Sequence, residues 1–161
     1  MKNNTNITDS LTQLDELCSS GYAIALHISF TTPRFLFQSY SKDWMEVYSQ
    51  EGLVLKDPTV LWGFSNTGFA NWSDLKDIDD SGILPMAAKF GLNYGFTYST
   101  DQNSSKTIAS FARSDREFSD SEVAEISEIS LNLHIHTANI EEFSAAEMGQ
   151  LKAMSVQFTR G

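Results

Sequence analysis

The chain has 161 residues, 41% of them hydrophobic and 20% charged, with three prolines and one cysteine; this is the composition of a globular domain long enough to bury a core. A formal net charge of −10, from 21 acidic and 11 basic residues, argues against nucleic-acid binding by this chain alone, because such binding rests on Lys and Arg neutralising phosphates. No apolar run reaches the ~18 residues of a membrane span, the polar opening MKNNTNITDSLTQLDEL has no apolar export signal, and the lone Cys18 forbids an intramolecular disulfide, so a cytoplasmic location is expected.

Leu11, Leu14 and Leu17 recur at helical spacing and predict a first helix over 8–18. GYAIALHISF then alternates. Tyr22, Ile24, Leu26, Ile28 and Phe30 are expected on a bulky strand face, and Ala23, Ala25, His27 and Ser29 on a narrow one. TTPR turns the chain into a short strand, RFLFQ, over 34–38. A helix is expected over 41–51, ending near Gly52, followed by helical and irregular pieces over 57–90. NYGFTYST sets Tyr94, Phe96 and Tyr98 opposite Gly95, Thr97 and Ser99, and the polar turn DQNSS joins it to KTIASFAR; strands over 94–100 and 106–112 thus form a hairpin. FSDSE opens another helix, with Ser119 and Glu122 as a capping box and Phe118 and Val123 as a hydrophobic staple. Its stripe of Val123, Ile126, Ile129 and Leu133, running to about Asn139, suits either packing on the sheet or a dimer surface. The same start signal recurs in FSAAEM, where Ser144 pairs with Glu147 and Phe143 with Met148, and predicts a helix to about Val156.

Tyr40, Trp44 and Tyr48 lie four apart, so a helix would stack two hydroxyls and one indole N–H on one face. Taken alone, such a triple is an amphipathic core helix whose polar tips find partners. Asp57-Pro58, taken alone, is an N-cap followed by proline at the first helical position. Together with Trp72 they make a longer pattern, Tyr-Trp-Tyr-Asp-Pro-Trp. With FGLNYGFTYS (90–99) and TIASFA (107–112), this pattern resembles the N-terminal autoinducer-binding domain of LuxR-type quorum-sensing regulators, over nearly the whole chain.

The resemblance implies an α/β fold: a GAF/PAS-like α/β/α sandwich with a central antiparallel sheet flanked by helices. It implies a ligand sensor and not an enzyme, with no cofactor, whose small-molecule ligand is an acyl-homoserine lactone. The ligand-binding residues it implies are Tyr40, Trp44, Tyr48, Asp57, Trp72 and Ser110. Their chemistry suits that ligand. The donor-only indole of Trp44 fits the lactone carbonyl. The acceptor-only carboxylate of Asp57 fits the amide N–H through a charge-assisted bond. Tyr40 and Ser110 would donate to the acyl carbonyl, with Tyr48 and Trp72 as walls. Ala23, Ala25 and Ser29 would leave room for the acyl chain, and Phe96, Tyr98 and Phe111 are candidates to shorten that room.

Residues 1–140 are accordingly expected to form the sensor. Residues 141–161 are expected to be a linker and the first helix of a truncated helix-turn-helix domain, whose opening FSAAEMGQLKAM resembles. The implied partners are the autoinducer and a second copy of the chain, with promoter DNA reached only through the missing C-terminal domain, and no membrane. Two alternatives remain: an anti-activator module forming inactive heterodimers, and a small lactone or ester hydrolase using His27 or Cys18. His27 is otherwise expected to be a satisfied core histidine. His134 and His136, two apart on a helix, cannot share a metal ion and are expected on the surface or a dimer face.

Overall fold

The computed structural model describes residues 2–30, 32–139 and 143–159. Along the chain come α1 (Lys2–Leu17), β1 (Gly21–Ser29), β2 (Thr32–Gln38), α2 (Lys42–Gln50), α3 (Pro58–Ser65), β3 (Gly68–Asn71), α4 (Ile83–Ala88), β4 (Tyr94–Thr100), β5 (Lys106–Arg113), α5 (Asp120–His136) and α6 (Ala145–Thr159). Short 3-10 segments cover Leu53–Leu55, Trp72–Ile78 and Gln102–Ser104. The strands form one antiparallel sheet in the order β2-β1-β5-β4-β3.

Alternation along these strands gives the sheet two different faces. On one, Tyr22, Ile24, Leu26, Phe35, Phe37, Phe96 and Phe111 are buried beneath α1 and α5, which contribute Ile7, Leu11, Leu14, Val123, Ile126 and Leu133. On the other, α2, α3 and α4 gather a second core around Trp44, Leu53, Trp72, Leu75, Ile83 and Leu92. The result is the expected α/β/α sandwich. The apolar stripe of α5 packs on the sheet.

Both capping boxes form. Ser119 Oγ accepts from the Glu122 N–H at 3.2 Å, and Glu122 Oε1 accepts from the Ser119 N–H at 2.8 Å. Ser144 and Glu147 repeat the exchange at 3.1 and 3.0 Å. After α5, α6 packs on β2 and α1, and Phe143 and Leu151 are buried in the main core. The expected boundary at 140/141 lies outside the described residues.

Three expectations need correction. First, the sheet has a fifth strand, β3, within the stretch read as irregular. Its four residues are too few for alternation to register. Second, Tyr40 precedes the helix: Ser41 is the N-cap of α2, its hydroxyl accepting from the Trp44 N–H, so the three aromatics do not share one helical face. Third, the alternation of β1 breaks. Its register against β5 runs Ala25↔Ile108 and then Ile28↔Lys106, and His27 takes a left-handed conformation with φ 56°. This bulge inserts one residue and reverses the phase beyond it. His27 therefore turns toward α5, Ile28 turns to the opposite face, and Phe30 is 96% exposed at the tip.

The bulge is held by a buried polar cluster. His27 Nε2 lies 2.9 Å from the His134 carbonyl oxygen and so carries the proton, while Nδ1 accepts from Ser105 Oγ at 2.6 Å. The two imidazoles stack at 4.5 Å. Contrary to expectation His134 is fully buried, with Thr107 Oγ1 2.7 Å from Nδ1 and the Gln102 carbonyl 2.9 Å from Nε2. Burial, then the neighbouring His134, hold the His27 pKa down to about 4.

Candidate ligand site

A cavity of about 760 Å³ lies between the sheet and the α2–α4 layer, and Tyr40, Trp44, Tyr48, Asp57, Trp72 and Ser110 all line it. Its volume is within the range of small-molecule pockets. The six residues reach it from five places: the turn after β2, α2, the N-cap of α3, the 3-10 segment after β3, and β5.

Asp57 is the most constrained of them. As N-cap of α3 it accepts at Oδ1 from the Thr59 N–H at 2.9 Å and from the Thr59 hydroxyl at 2.7 Å. Its other oxygen, Oδ2, accepts from the Tyr48 hydroxyl at 2.7 Å. Pro58 at the first helical position has no N–H to leave unsatisfied. Capping and cavity lining thus coincide in one side chain. Burial pushes the Asp57 pKa up, with the Thr59 and Tyr48 hydrogen bonds pulling partly against it. Ionised Asp57 consequently has an incentive to gain one more donor, and Oδ2 keeps lone-pair capacity for it.

Trp44 is only 3% exposed. Its ring meets Tyr48 edge-on at 5.8 Å and Phe90 at 5.5 Å, yet its indole N–H has no hydrogen-bond partner among the described residues. Trp72 differs: its indole N–H donates to Thr97 Oγ1 at 3.1 Å, and that oxygen lies 2.7 Å from Ser110 Oγ. The Trp72 ring lies over Gly95, where a Cβ would sit 2.5 Å from Trp72 Cδ2, so only glycine lets this wall approach the sheet. The Tyr40 hydroxyl donates to the Ser110 carbonyl at 3.2 Å, and burial pushes the phenol pKa upward.

Three contributions were not legible beforehand. Tyr48, read as a wall, fixes the Asp57 carboxylate. Thr59 supplies two bonds to the same group. Thr97 links Trp72 to Ser110; its only sequence signal was its place on the small face of β4. Farther from this polar end the walls are apolar, with Ala23, Ala25, Leu36 and Ile108 from the sheet. Ser29, beyond the bulge, does not line the cavity. Phe96 and Phe111 do not shorten it, because they are buried on the opposite face of the sheet, with Tyr98 packed against their cluster. Val54, Leu55, Leu61 and Phe64 line the cavity and are also exposed, so its apolar end opens at the surface.

Residues 19–139 match the family model described as the autoinducer binding domain. The chain belongs to that family. This autoinducer-binding domain is 27% identical over 106 residues to the transcriptional activator protein EsaR of Pantoea stewartii subsp. stewartii, a match covering 59% of this chain and 42% of EsaR. Its fold matches a crystal structure of Escherichia coli SdiA with a TM-score of 0.63 at 21% identity, over 88% of this chain and 64% of that one. SdiA in complex with octanoyl-rac-glycerol matches with a TM-score of 0.60 at 17% identity, over 98% and 78% of the two chains. CepR2 of Burkholderia cenocepacia, described as an N-acylhomoserine lactone dependent LuxR family transcription factor, matches with a TM-score of 0.57 at 15% identity, over 94% and 99%. The chain therefore spans under half of EsaR and just under two thirds of the first SdiA structure. Among the described residues no helix is long and apolar enough to cross a membrane.

Proposed function

We propose that this autoinducer-binding domain takes up an acyl-homoserine lactone. One observation carries the reading: a single cavity holds a free, donor-only indole N–H on Trp44 and a buried, acceptor-only carboxylate on Asp57. That is the complement of a lactone carbonyl and an adjacent amide N–H. Trp72 and Thr97 prepare the third contact. With Trp72 donating to Thr97, the Thr97 hydroxyl can donate to Ser110, leaving the Ser110 hydrogen for the acyl carbonyl. Tyr40 exchanges its long bond to the Ser110 carbonyl for the same acceptor. The chain then runs along Ala23, Ala25, Leu36 and Ile108 toward the open end, so the site accommodates long tails.

In this reading the ligand is a small-molecule signal in the cytoplasm. Its binding shifts the population of a competent state, which controls dimerisation and the promoter binding of a C-terminal helix-turn-helix domain. A lactone or ester hydrolase is disfavoured. His27 is turned away with both ring nitrogens bonded, and burial pushes the Cys18 thiol up to about 12.

Calorimetric titration with acyl-homoserine lactones of graded chain length and with octanoylglycerol tests the proposal. Lactone binding that weakens in both Trp44→Phe and Asp57→Asn supports it. Equal binding by the glycerol ester, or indifference to both substitutions, refutes the lactone assignment.

A further inference from the structure

The polar end of the cavity accounts for every polar wall residue except two, Gln38 and Ser49. Ser49 is exposed, on the last turn of α2. Gln38 is partly buried on the inner wall and its side-chain amide has no hydrogen-bond partner among the described residues. A primary amide, with two donor hydrogens and an acceptor oxygen, reaches solvent in the open cavity, and a ligand that covers it without offering a partner would leave it unpaired beside apolar walls.

The sheet register locates this amide. Gln38 of β2 lies opposite Ala23 of β1, Ala23 opposite Ser110 of β5, and Ser110 opposite Thr97 of β4. These four residues form one row across the sheet. Neighbouring strands lie about 4.8 Å apart, so Gln38 stands roughly 10 Å from Ser110 across the small Ala23. In the next row toward the open end the members that line the cavity, Leu36, Ala25 and Ile108, are apolar, and the fourth, Ser99, does not line it and donates to the Gly63 carbonyl. The sheet wall thus has one polar band, anchored at one end by the Ser110–Thr97 pair and ending at the other in an unused amide.

We propose that Gln38 is a specificity-determining residue that reads an oxygen substituent on the acyl chain, one or two carbons beyond the acyl carbonyl. This inference rests on the lactone reading, which places the acyl carbonyl at Ser110. A chain leaving that carbonyl crosses the Ala23 methyl and passes Gln38 before it enters the apolar row. The amide serves either substituent: its N–H donates to a keto oxygen, and its carbonyl accepts from a hydroxyl. An unsubstituted chain would instead press methylenes against an unpaired amide, and a site built to hydrogen-bond rejects the analogue lacking the partner group.

The test measures binding of three octanoyl-homoserine lactones (unsubstituted, 3-oxo and 3-hydroxy) to the intact chain and to Gln38→Leu and Gln38→Met. Apo thermal unfolding of each variant shows that it is folded, and Gln38→Met keeps the side-chain length. The expected result is a preference of about tenfold for the substituted ligands in the natural chain, lost in both variants, with the unsubstituted ligand bound equally or more tightly. Equal binding of all three ligands by the natural chain overturns the role of Gln38 and leaves the lactone reading standing. A uniform weakening by both variants also overturns it, since that marks a structural role. Failure of all three ligands to bind the natural chain overturns both.

Discussion

The two faces of strands β1, β4 and β5 come from the same peptide segments and have opposite chemistry. One face presents Tyr22, Ile24, Leu26, Phe96 and Phe111, all fully buried under α1 and α5. The other presents Ala23, Ala25, Gly95, Thr97 and Ser110 to a second, smaller core and the cavity beside it. Large side chains on the first face supply the burial that stabilises the fold. Small and polar ones on the second leave space and directed hydrogen bonds. Stability and recognition are divided between faces and not between domains, so substitutions on the two sides should separate them.

The largest effect is expected on the packed face. Phe96→Ala removes a ring that meets Phe111 at 5.2 Å and Phe118 at 5.1 Å, and should cost about 3–5 kcal/mol, read as a lower denaturant midpoint. Gly95→Ala should disturb both faces at once. Its Cβ would lie 2.5 Å from Trp72 Cδ2 and 2.6 Å from the Phe111 carbonyl. A loss of about 1–3 kcal/mol is expected, with weakened lactone binding as Trp72 leaves the wall; unchanged binding would show that Trp72 is not part of the site.

Asp57→Asn sharpens the contrast from the other side. Asparagine caps as well as aspartate, so the apo midpoint should move by less than about 1 kcal/mol, whereas lactone affinity should fall roughly 10- to 100-fold with loss of a charge-assisted bond. A large loss of apo stability would make Asp57 chiefly a structural cap.

The smallest effect concerns pH. His27 has a folded pKa of about 4, below the usual histidine value near 6.5. The unfolded chain therefore binds more protons between these values, and stability present above pH 6.5 is lost as pH falls toward 4. Asp57 acts in the opposite sense. Its folded pKa is raised, so its contribution favours the folded state at low pH and is lost as pH rises through the folded value. Comparing urea midpoints of the natural chain and His27→Asn from pH 7 to 4 isolates the histidine contribution, because asparagine tolerates the left-handed backbone at that position. The variant should show the shallower acid loss.

These contrasts also explain what could be read in the sequence. The alternation of NYGFTYST marked the two faces of β4 correctly, because a two-residue period survives wherever a strand is regular. It failed at His27, where the bulge reverses the phase and which nothing in GYAIALHISF announces. The Ser119–Glu122 and Ser144–Glu147 boxes were legible because capping is local. The candidate site was legible as a set of residue types, and the structure brings all six to one cavity. Their interconnections were not, because Tyr48–Asp57 and Trp72–Thr97–Ser110 join elements far apart in the chain. The four-residue spacing that drew attention to Tyr40 was itself misleading, since Tyr40 reaches the cavity from a turn and not from the helix.

The most direct test of the central claim is the indole N–H spectrum of ¹⁵N-labelled protein, in which three tryptophans give three resonances. On titration with octanoyl-homoserine lactone, the Trp44 indole signal should move downfield and gain protection from exchange as it acquires an acceptor. That of Trp72, already bonded to Thr97, should move much less. A saturating lactone that leaves the Trp44 signal in place, or a protein whose indole spectrum does not respond to any lactone, would contradict the assignment of this cavity as the lactone site.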